Sequence, residues 1–509
     1  EHASYNPILM NQILKEEWQW DGVVISDWGA VHDTHTAIIG GLDMEFGSWT
    51  DGLTEGTSNA YDNYWLANSY LKGIKEGIYT DKELNEKVRR VLRLTFRTAM
   101  NNDRPWGSMV SDAHKTACRK IGEEGIVLLQ NNANLLPINL SKVKRIAVIG
   151  ENAIKMMTVG GGSSSLKVKY EVTPLEGLKK RIGEQAEIIY ARGYVGDPTG
   201  EYNGVKTGQN LKDDRSPKEL RTEALQVASN ADIVLFIGGL NKSEYQDCEG
   251  TDRKTMDLPY NQNELIMDLL QVNKKLVVIN ISGTGVAMPW KNHVSTILQA
   301  WYLGSETGNA LASILMGDVN PSGKLPYTYY ACLNQCGAHK LGEYPGHKGM
   351  DVLGNKVYDI PYNEGLFVGY RFIDKNKLKP NFPFGHGLSY TTFEYGKAKV
   401  NSKAIEKSEK LYITIPITNT GNRAGAEVVQ LYIKCLNSSV IRPIKELKGF
   451  CKVELQPNET KEISFTITAE ELSFFDEKQH KWIAEPGKFE ALMASSSADI
   501  RSKVCFELK

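Results

Sequence analysis

DIVLFIG (232–238), an acid-rich loop, NQNELIMDLLQVN (261–273) and KLVVINI (275–281) follow one another in the chain and together spell a strand–helix–strand unit. The two outer runs are apolar at nearly every position instead of alternating. Strands covered on both faces read that way, and a helix between two of them makes a parallel crossover. The same texture continues outward in RIAVIG (145–150), AEIIYA (186–191) and STILQAW (295–301). Residues 106–330 are therefore expected to form an α/β/α sandwich on a mostly parallel sheet.

Different textures flank this region. In residues 1–105, NPILMNQILKEEW (6–18) has helical spacing, and GVVIS (22–26) and LDMEF (42–46) read as short strands. DKELNEKVRRVLRLTFRTAM (81–100) reads as a long amphipathic helix, with Leu84, Val88, Val91, Leu92 and Phe96 on one face. NNDRPWGS (101–108) breaks it with Pro and Gly. After a Gly- and aromatic-rich connector (331–395), residues 396–509 turn to period two. KLYITIPITNTGNRAGAEVVQLYIK (410–434), KEISFTITAEEL (461–472) and KFEALMASSS (488–497), with NTGN and EPGK turns, predict an antiparallel β-sandwich of fibronectin type III size.

Composition narrows the function. A length of 509 residues suggests about three domains. Lys+Arg 60 against Asp+Glu 61 gives a net charge of −1, so nothing electrostatic points to nucleic acid or an acidic membrane as partner. No apolar run approaches the ~20 residues of a membrane-spanning helix, so no membrane insertion is expected. Seven scattered cysteines are no disulfide framework and read as buried free thiols. The lone CxxxC of Cys332 and Cys336, and the HDTH run (32–35), lack the further ligands of a metal site. VGGGSSS (159–165) has neither GxGxxG nor a GK[ST] ending and reads as a flexible polar loop over a pocket. Neither metal nor cofactor is expected.

Two carboxylates stand where chemistry could sit. Asp27, in GVVISDWGAVHD (22–33), follows a hydrophobic run on a Gly-containing loop, the strand-end position at which α/β barrels hold catalytic groups. Read alone, it serves equally as the cap of a following helix. Glu249 lies in KSEYQDCEGTDRKTMDLPYNQNELI (242–266) with Glu244, Asp247 and Asp252. Crowding of carboxylates raises one pKa, as a general acid requires, although a solvated acidic loop has the same composition.

Taken in order, these segments resemble glycoside hydrolase family 3, the β-glucosidase and β-xylosidase family. GVVISDWGA and GLDMEFG (41–47) resemble its nucleophile segment and the next barrel strand. EEGIVLLQNNANLLPI (123–138), GGGSSS…VTPLEGL (160–178), DRKTMDLPYNQNELI (252–266) and MGDVNPSGKLPYT (316–328) resemble its second domain. YNEGLFVGYRFID (362–374) and PNFPFGHGLSYTTFEY (380–395) resemble the approach to its fibronectin-type domain. The resemblance implies a retaining exo-β-glycosidase acting on terminal β-D-glucosyl residues of a glucoside or β-linked oligosaccharide. Asp27 would be the nucleophile and Glu249 the general acid/base, with Glu244 as the replacement acid; such a pair stands about 5–5.5 Å apart. Trp28 would pack beside the glycone, and Ser163 and Ser164 would close over its hydroxyls. Asp43 and Glu45 would be structural. Trp after the aspartate resembles the glucosidase branch, with a xylosidase or mixed activity as runner-up. A catalytically inactive carbohydrate-binding homologue is the rival of another class. WYLGSETG (301–308) departs from the family's PGQEGG-like turn.

The resemblance further implies that residues 1–105 are the C-terminal portion of a (β/α)8-type barrel, for which ~250 residues are needed. The opening EHASYNPILM has no initiator Met. The expectation is a chain that lacks the N-terminal barrel segment and is inactive alone. Relatives are often exported, which suggests a periplasmic or secreted location, with the cytoplasm as the alternative. A homodimer is an open option.

Overall fold

The computed structural model describes residues 2–47, 64–196, 206–350 and 356–509. The chain divides into two units, Glu1–Met109 and Val110–Lys509.

In the first unit a π-helix spans Ile8–Glu17, its last turn closed by Trp18 N–H donating to Ile13 O five residues back. GVVIS and LDMEF run side by side, but only as an isolated parallel bridge between Ile25 and Met44, not as the two strands expected. Among the described residues of this unit, α1 (Thr34–Ile39) lies between the two runs, and α2 (Asn68–Lys75) and α3 (Asp81–Arg97) follow them. Helix α3 turns two of its basic residues inward, while Lys82, Arg89 and Arg97 stay exposed. Lys87 and Arg90 are its buried residues, whereas Val88, Leu92 and Phe96 are 42%, 46% and 57% exposed. The reason is hydrogen bonding. Lys87 Nζ donates to Ile38 O and Leu42 O, and Arg90 Nη1 donates to Trp20 O (3.2 Å) and Gly22 O (2.9 Å). These carbonyls lie in or next to the two bridged segments, and the buried cations satisfy them.

The second unit opens with α4 (Asp112–Gly125) and a six-stranded sheet. Its strands are β1 (Val127–Asn131), β2 (Arg145–Ile149), β3 (Glu187–Ala191), β4 (Ile233–Gly239), β5 (Leu276–Ile281) and β6 (Thr296–Gln299), in spatial order β1-β6-β5-β4-β2-β3. All pairings are parallel except the edge pair β1–β6. The five runs read as strands are the five parallel ones; β1, inside EEGIVLLQNN, is an addition. Every residue of β4 is buried, from Ile233 through Phe236 to Gly239. Burying each of its large apolar side chains contributes about 1.5–3 kcal/mol, which is why this strand is apolar throughout. Helices α5 (Pro174–Ile182), α6 (Pro217–Ser229), α7 (Gln262–Val272) and α8 (Thr307–Met316) flank the sheet. Thr173 and Ser216 start α5 and α6 with full capping boxes and Pro at the first turn, so these boundaries are set locally.

The connector carries the hairpin β7 (His347–Met350) with β8 (Lys356–Asp359), then returns along the sheet edge: Leu388 N–H donates to Leu128 O (2.8 Å), and a ring nitrogen of His386 bonds Leu129 O (2.8 Å). The β-sandwich then packs β9 (Phe393–Tyr395), β10 (Lys399–Val400), β12 (Leu411–Asn419) and β15 (Thr460–Ile467) against a sheet of β11 (Ala404–Ile405), β19 (Asp499–Leu508), β18 (Gly487–Ser496), β13 (Gly425–Cys435) and β14 (Glu446–Leu455). Alternation is plain in β12, where Leu411, Ile413, Ile415 and Ile417 are buried and Tyr412 is exposed. Two details depart from expectation: β11 pairs with β19 in parallel, and AEEL at the end of 461–472 is a single helical turn capped by Thr468. All seven cysteines are free, as read, but none is buried; Cys332 and Cys505 are exposed.

Candidate active site

The sheet places the site. From β2 the chain adds β3 on one side, then crosses to the other side to add β4. At such a reversal the loops leaving the two central strands diverge and open a crevice beyond their carboxyl ends. The loop after β2 contains the Gly-Ser run, and the loop after β4 contains Glu249.

These two loops meet. Ser163 N–H donates to Glu249 Oε2 (2.6 Å), and Glu249 N–H donates to Gly161 O (3.3 Å). Gly162 makes the approach possible: a Cβ on it would stand 2.5 Å from both Cβ and Oε2 of Glu249. The Gly-Ser run is not a loose flap. Glu171, buried, accepts from Met157 N–H (2.6 Å) and Thr158 N–H (3.2 Å), Ser165 Oγ accepts from Gly160 N–H (3.0 Å), and Leu166 N–H returns to Thr158 O (2.9 Å). Ser164 is exposed beside Ser163 and gives its carbonyl to Lys242 Nζ (3.5 Å).

Glu249 sits at the tip of a small hairpin. Cys248 and Thr251 bridge antiparallel across it, and Gly250 takes φ +78°, the conformation glycine supplies at the third residue of a type II turn. Glu249 and Glu244 are both exposed, and of the two it is Glu249 that meets the Gly-Ser run. The acids of this loop do not crowd one another. Asp247 is occupied by three donors and Asp252 accepts from Tyr344 Oη, so the loop's acids are spread over separate partners. Ser163, through its hydroxyl and its main-chain N–H, instead holds the Glu249 carboxyl below the usual glutamate range.

Asp27 and Trp28 lie in the other unit. Ser26 N–H donates to Met44 O (3.0 Å) and Gly29 N–H to Gly47 O (2.7 Å), pinning the loop on both sides of Asp27. Asp27 is exposed and accepts from Trp28 N–H (2.8 Å). It caps no helix: the cap of α1 is Asp33, whose side chain accepts from Thr36 N–H. Trp28 is 68% exposed and stacked on Phe46 (centroids 5.0 Å, planes 24° apart), a broad aromatic platform next to the carboxylate. Asp43 is buried in an ion pair with Lys15 (2.9 Å) and accepts from Val24 N–H (2.8 Å), and Glu45 accepts from Trp65 and Leu66 N–H. Among the described residues no group of three His, Cys, Asp or Glu side chains could hold a metal ion.

Sequence reading passed over Tyr302 and Thr284, which bind Asp247. The signal was available: both directly follow parallel strands, β6 and β5, on the side where the Glu249 loop leaves β4.

Residues 126–390 match the model of the glycosyl hydrolase family 3 C-terminal domain, and residues 427–497 that of a fibronectin type III-like domain. A beta-glucosidase of Bacteroides ovatus is 48% identical over 99% of this chain and 66% of its own length. A periplasmic beta-glucosidase of Salmonella typhimurium is 33% identical over 98% of this chain and 65% of its own length. The crystal structure of a GH3 beta-glucosidase of Bifidobacterium adolescentis superposes with TM-score 0.83 at 31% identity, covering all of this chain and 68% of that one. The chain thus spans about two thirds of the length of these relatives. No helix among the described residues is long and apolar enough to cross a membrane. The match runs from the Asp27 loop through the switch-point crevice to the β-sandwich, and on that agreement of order, fold and sequence the chain belongs to glycosyl hydrolase family 3.

Proposed function

We propose that the full-length protein is a retaining, exo-acting β-glucosidase with Asp27 as nucleophile and Glu249 as general acid/base. The observation that carries this reading is the 48% identity, over 99% of the chain, to a beta-glucosidase. The pinned Asp27 loop, the aromatic platform of Trp28 and Phe46, and the seating of Glu249 against Ser163 support the assignment of roles.

The chemistry is a double displacement. Asp27 attacks the anomeric carbon as the bond to the leaving oxygen breaks, and Glu249 gives that oxygen its proton. Glu249, now a carboxylate, takes a proton from water. The resulting oxygen attacks the same carbon and releases Asp27. Two inversions return β-glucose. Trp28 stacks on the glycone, and Ser163 and Ser164 face its hydroxyls.

The test is hydrolysis of 4-nitrophenyl β-D-glucoside by the full-length protein. Asp27→Ala and Glu249→Ala are each expected to lower kcat/KM by a factor on the order of 10³. A 2-deoxy-2-fluoroglucoside should label the peptide carrying Asp27. Sugar binding without turnover would replace this reading with that of a non-catalytic binding protein, and a label on another peptide would move the nucleophile away from Asp27.

We further propose that residues 1–105 form the C-terminal portion of a (β/α)8-type barrel, followed by a sandwich domain (106–330), the connector (331–395) and the β-domain (396–509). The exposed apolar face of α3 and the single bridge between Ile25 and Met44 support a preceding barrel segment that covers and pairs with them. Glucoside turnover by the 509-residue polypeptide on its own would overturn this. The periplasmic beta-glucosidase among the relatives supports a periplasmic or secreted location, which cell fractionation would test.

A further inference from the structure

Asp247 stands two residues before Glu249, at the base of the hairpin whose tip Glu249 occupies. Its half-buried carboxylate accepts from three donors on two other strand-end loops: Gly283 N–H (2.7 Å) and Tyr302 Oη (2.8 Å) at Oδ2, and Thr284 Oγ1 (2.5 Å) at Oδ1. Its own N–H donates to Asn241 O (3.1 Å). The other arm is tied to the same place: Arg253 Nη2 donates to Thr284 Oγ1 (3.1 Å) and Gly285 O (2.6 Å). Both arms of the hairpin therefore converge on residues 283–285, with Thr284 Oγ1 donating to one and accepting from the other.

On the reading of Glu249 as the acid/base, we propose that Asp247 is a positioning residue: it locks the hairpin on the loops after β5 and β6 and so fixes where the Glu249 carboxyl delivers its proton. The tip itself is exposed and is held laterally by the Gly-Ser run. A two-residue turn on free arms would swing, and proton transfer to a leaving oxygen tolerates little displacement. Three charge-assisted hydrogen bonds in a partly buried setting are what hold such an arm still. Tyr302 suits this use. Burial, and then Asp247 itself, raises its phenol well above the ordinary tyrosine range, so it remains a donor at every working pH.

The test compares two glucosides in the full-length protein. Methyl β-D-glucoside needs its leaving oxygen protonated; 2,4-dinitrophenyl β-D-glucoside does not. Asp247→Asn is expected to lower kcat/KM at least about tenfold on the first and no more than about threefold on the second, with azide restoring part of the turnover of the dinitrophenyl glucoside. Tyr302→Phe, which removes one donor and leaves the carboxylate in place, should show the same selectivity at smaller amplitude with an unchanged melting temperature. Equal losses on both substrates, or no loss on either, would reduce Asp247 to a structural residue and overturn the proposal. Glu249→Ala run alongside separates the two readings. Without the selective loss in Glu249→Ala, the acid/base assignment falls and this proposal with it. If Glu249→Ala shows it and Asp247→Asn does not, only the role of Asp247 falls.

Discussion

The main-chain N–H of Ser163 points at Oε2 of Glu249 across 2.6 Å, joining two loops that are 86 residues apart in sequence. This bond fixes where the proposed acid/base rests and stabilises its charged form.

Gly162 takes φ +84°, and a Cβ there would collide with Glu249. Gly162→Ala is expected to displace the carboxylate by a fraction of an ångström to an ångström and to lower kcat/KM on methyl β-D-glucoside by about 10–100-fold. The loss on a dinitrophenyl glucoside should be much smaller. An unaltered rate on both would show that the two loops move apart freely.

Ser163→Ala removes the hydroxyl donor and keeps the N–H. Hydrogen bonds to the carboxylate lower the Glu249 pKa, so losing one lets the acid hold its proton to higher pH. The basic limb of kcat/KM for a glucoside with a poor leaving group should move upward in pH. A limb that stays in place, or moves down, would dissociate Ser163 from the titration of the acid.

Trp28 is exposed and stacked on Phe46, so its removal costs the fold little. Trp28→Ala should raise KM for β-glucosides about three- to tenfold, from the loss of an aromatic contact of about 0.5–1.5 kcal/mol. A melting temperature lowered by many degrees with KM unchanged would make Trp28 a packing residue.

Lys87 is buried against backbone carbonyls, and burial lowers its pKa to about 8 from an ordinary value of 10.5. The unfolded chain therefore binds the proton more tightly than the folded one between those values. Stability relative to a Lys87→Gln variant should rise as pH climbs from about 8 to 10.5, and should be lost again as pH falls through 8. The full difference is on the order of 3 kcal/mol. Parallel unfolding curves of the two proteins across this window would contradict the burial of a titrating amine.

The two halves of the fold were legible to different degrees. Continuous apolar runs marked the five parallel strands; β2, β4, β5 and β6 are buried along almost their whole length, and such a strand carries its environment in its own composition, whereas β3, at the sheet edge, is only half-buried. The edge strand β1 was missed because its pairing with β6 is antiparallel and remote, and its run sits within a helix-to-strand passage. In α3 the amphipathic stripe was read correctly as a stripe, yet the structure turns Lys87 and Arg90 inward. Periodicity reports which residues share a face; it cannot report that carbonyls of a distant segment will recruit Lys87 and Arg90.

The family, the α/β sandwich, the β-sandwich and the two loops that hold the candidate carboxylates are all readable along the chain. Each of these rests on local pattern: strand composition, turn residues and motifs in order. Which acid of the acidic loop meets the Gly-Ser run, the lowering of its pKa by Ser163, and the engagement of Asp247 by Gly283, Thr284 and Tyr302 emerge only when the chain is folded. Those are hydrogen bonds between loops gathered at the ends of parallel strands. A bond of about 3 Å depends on how the sheet orders its strands, and strand order is not written in any one stretch of chain.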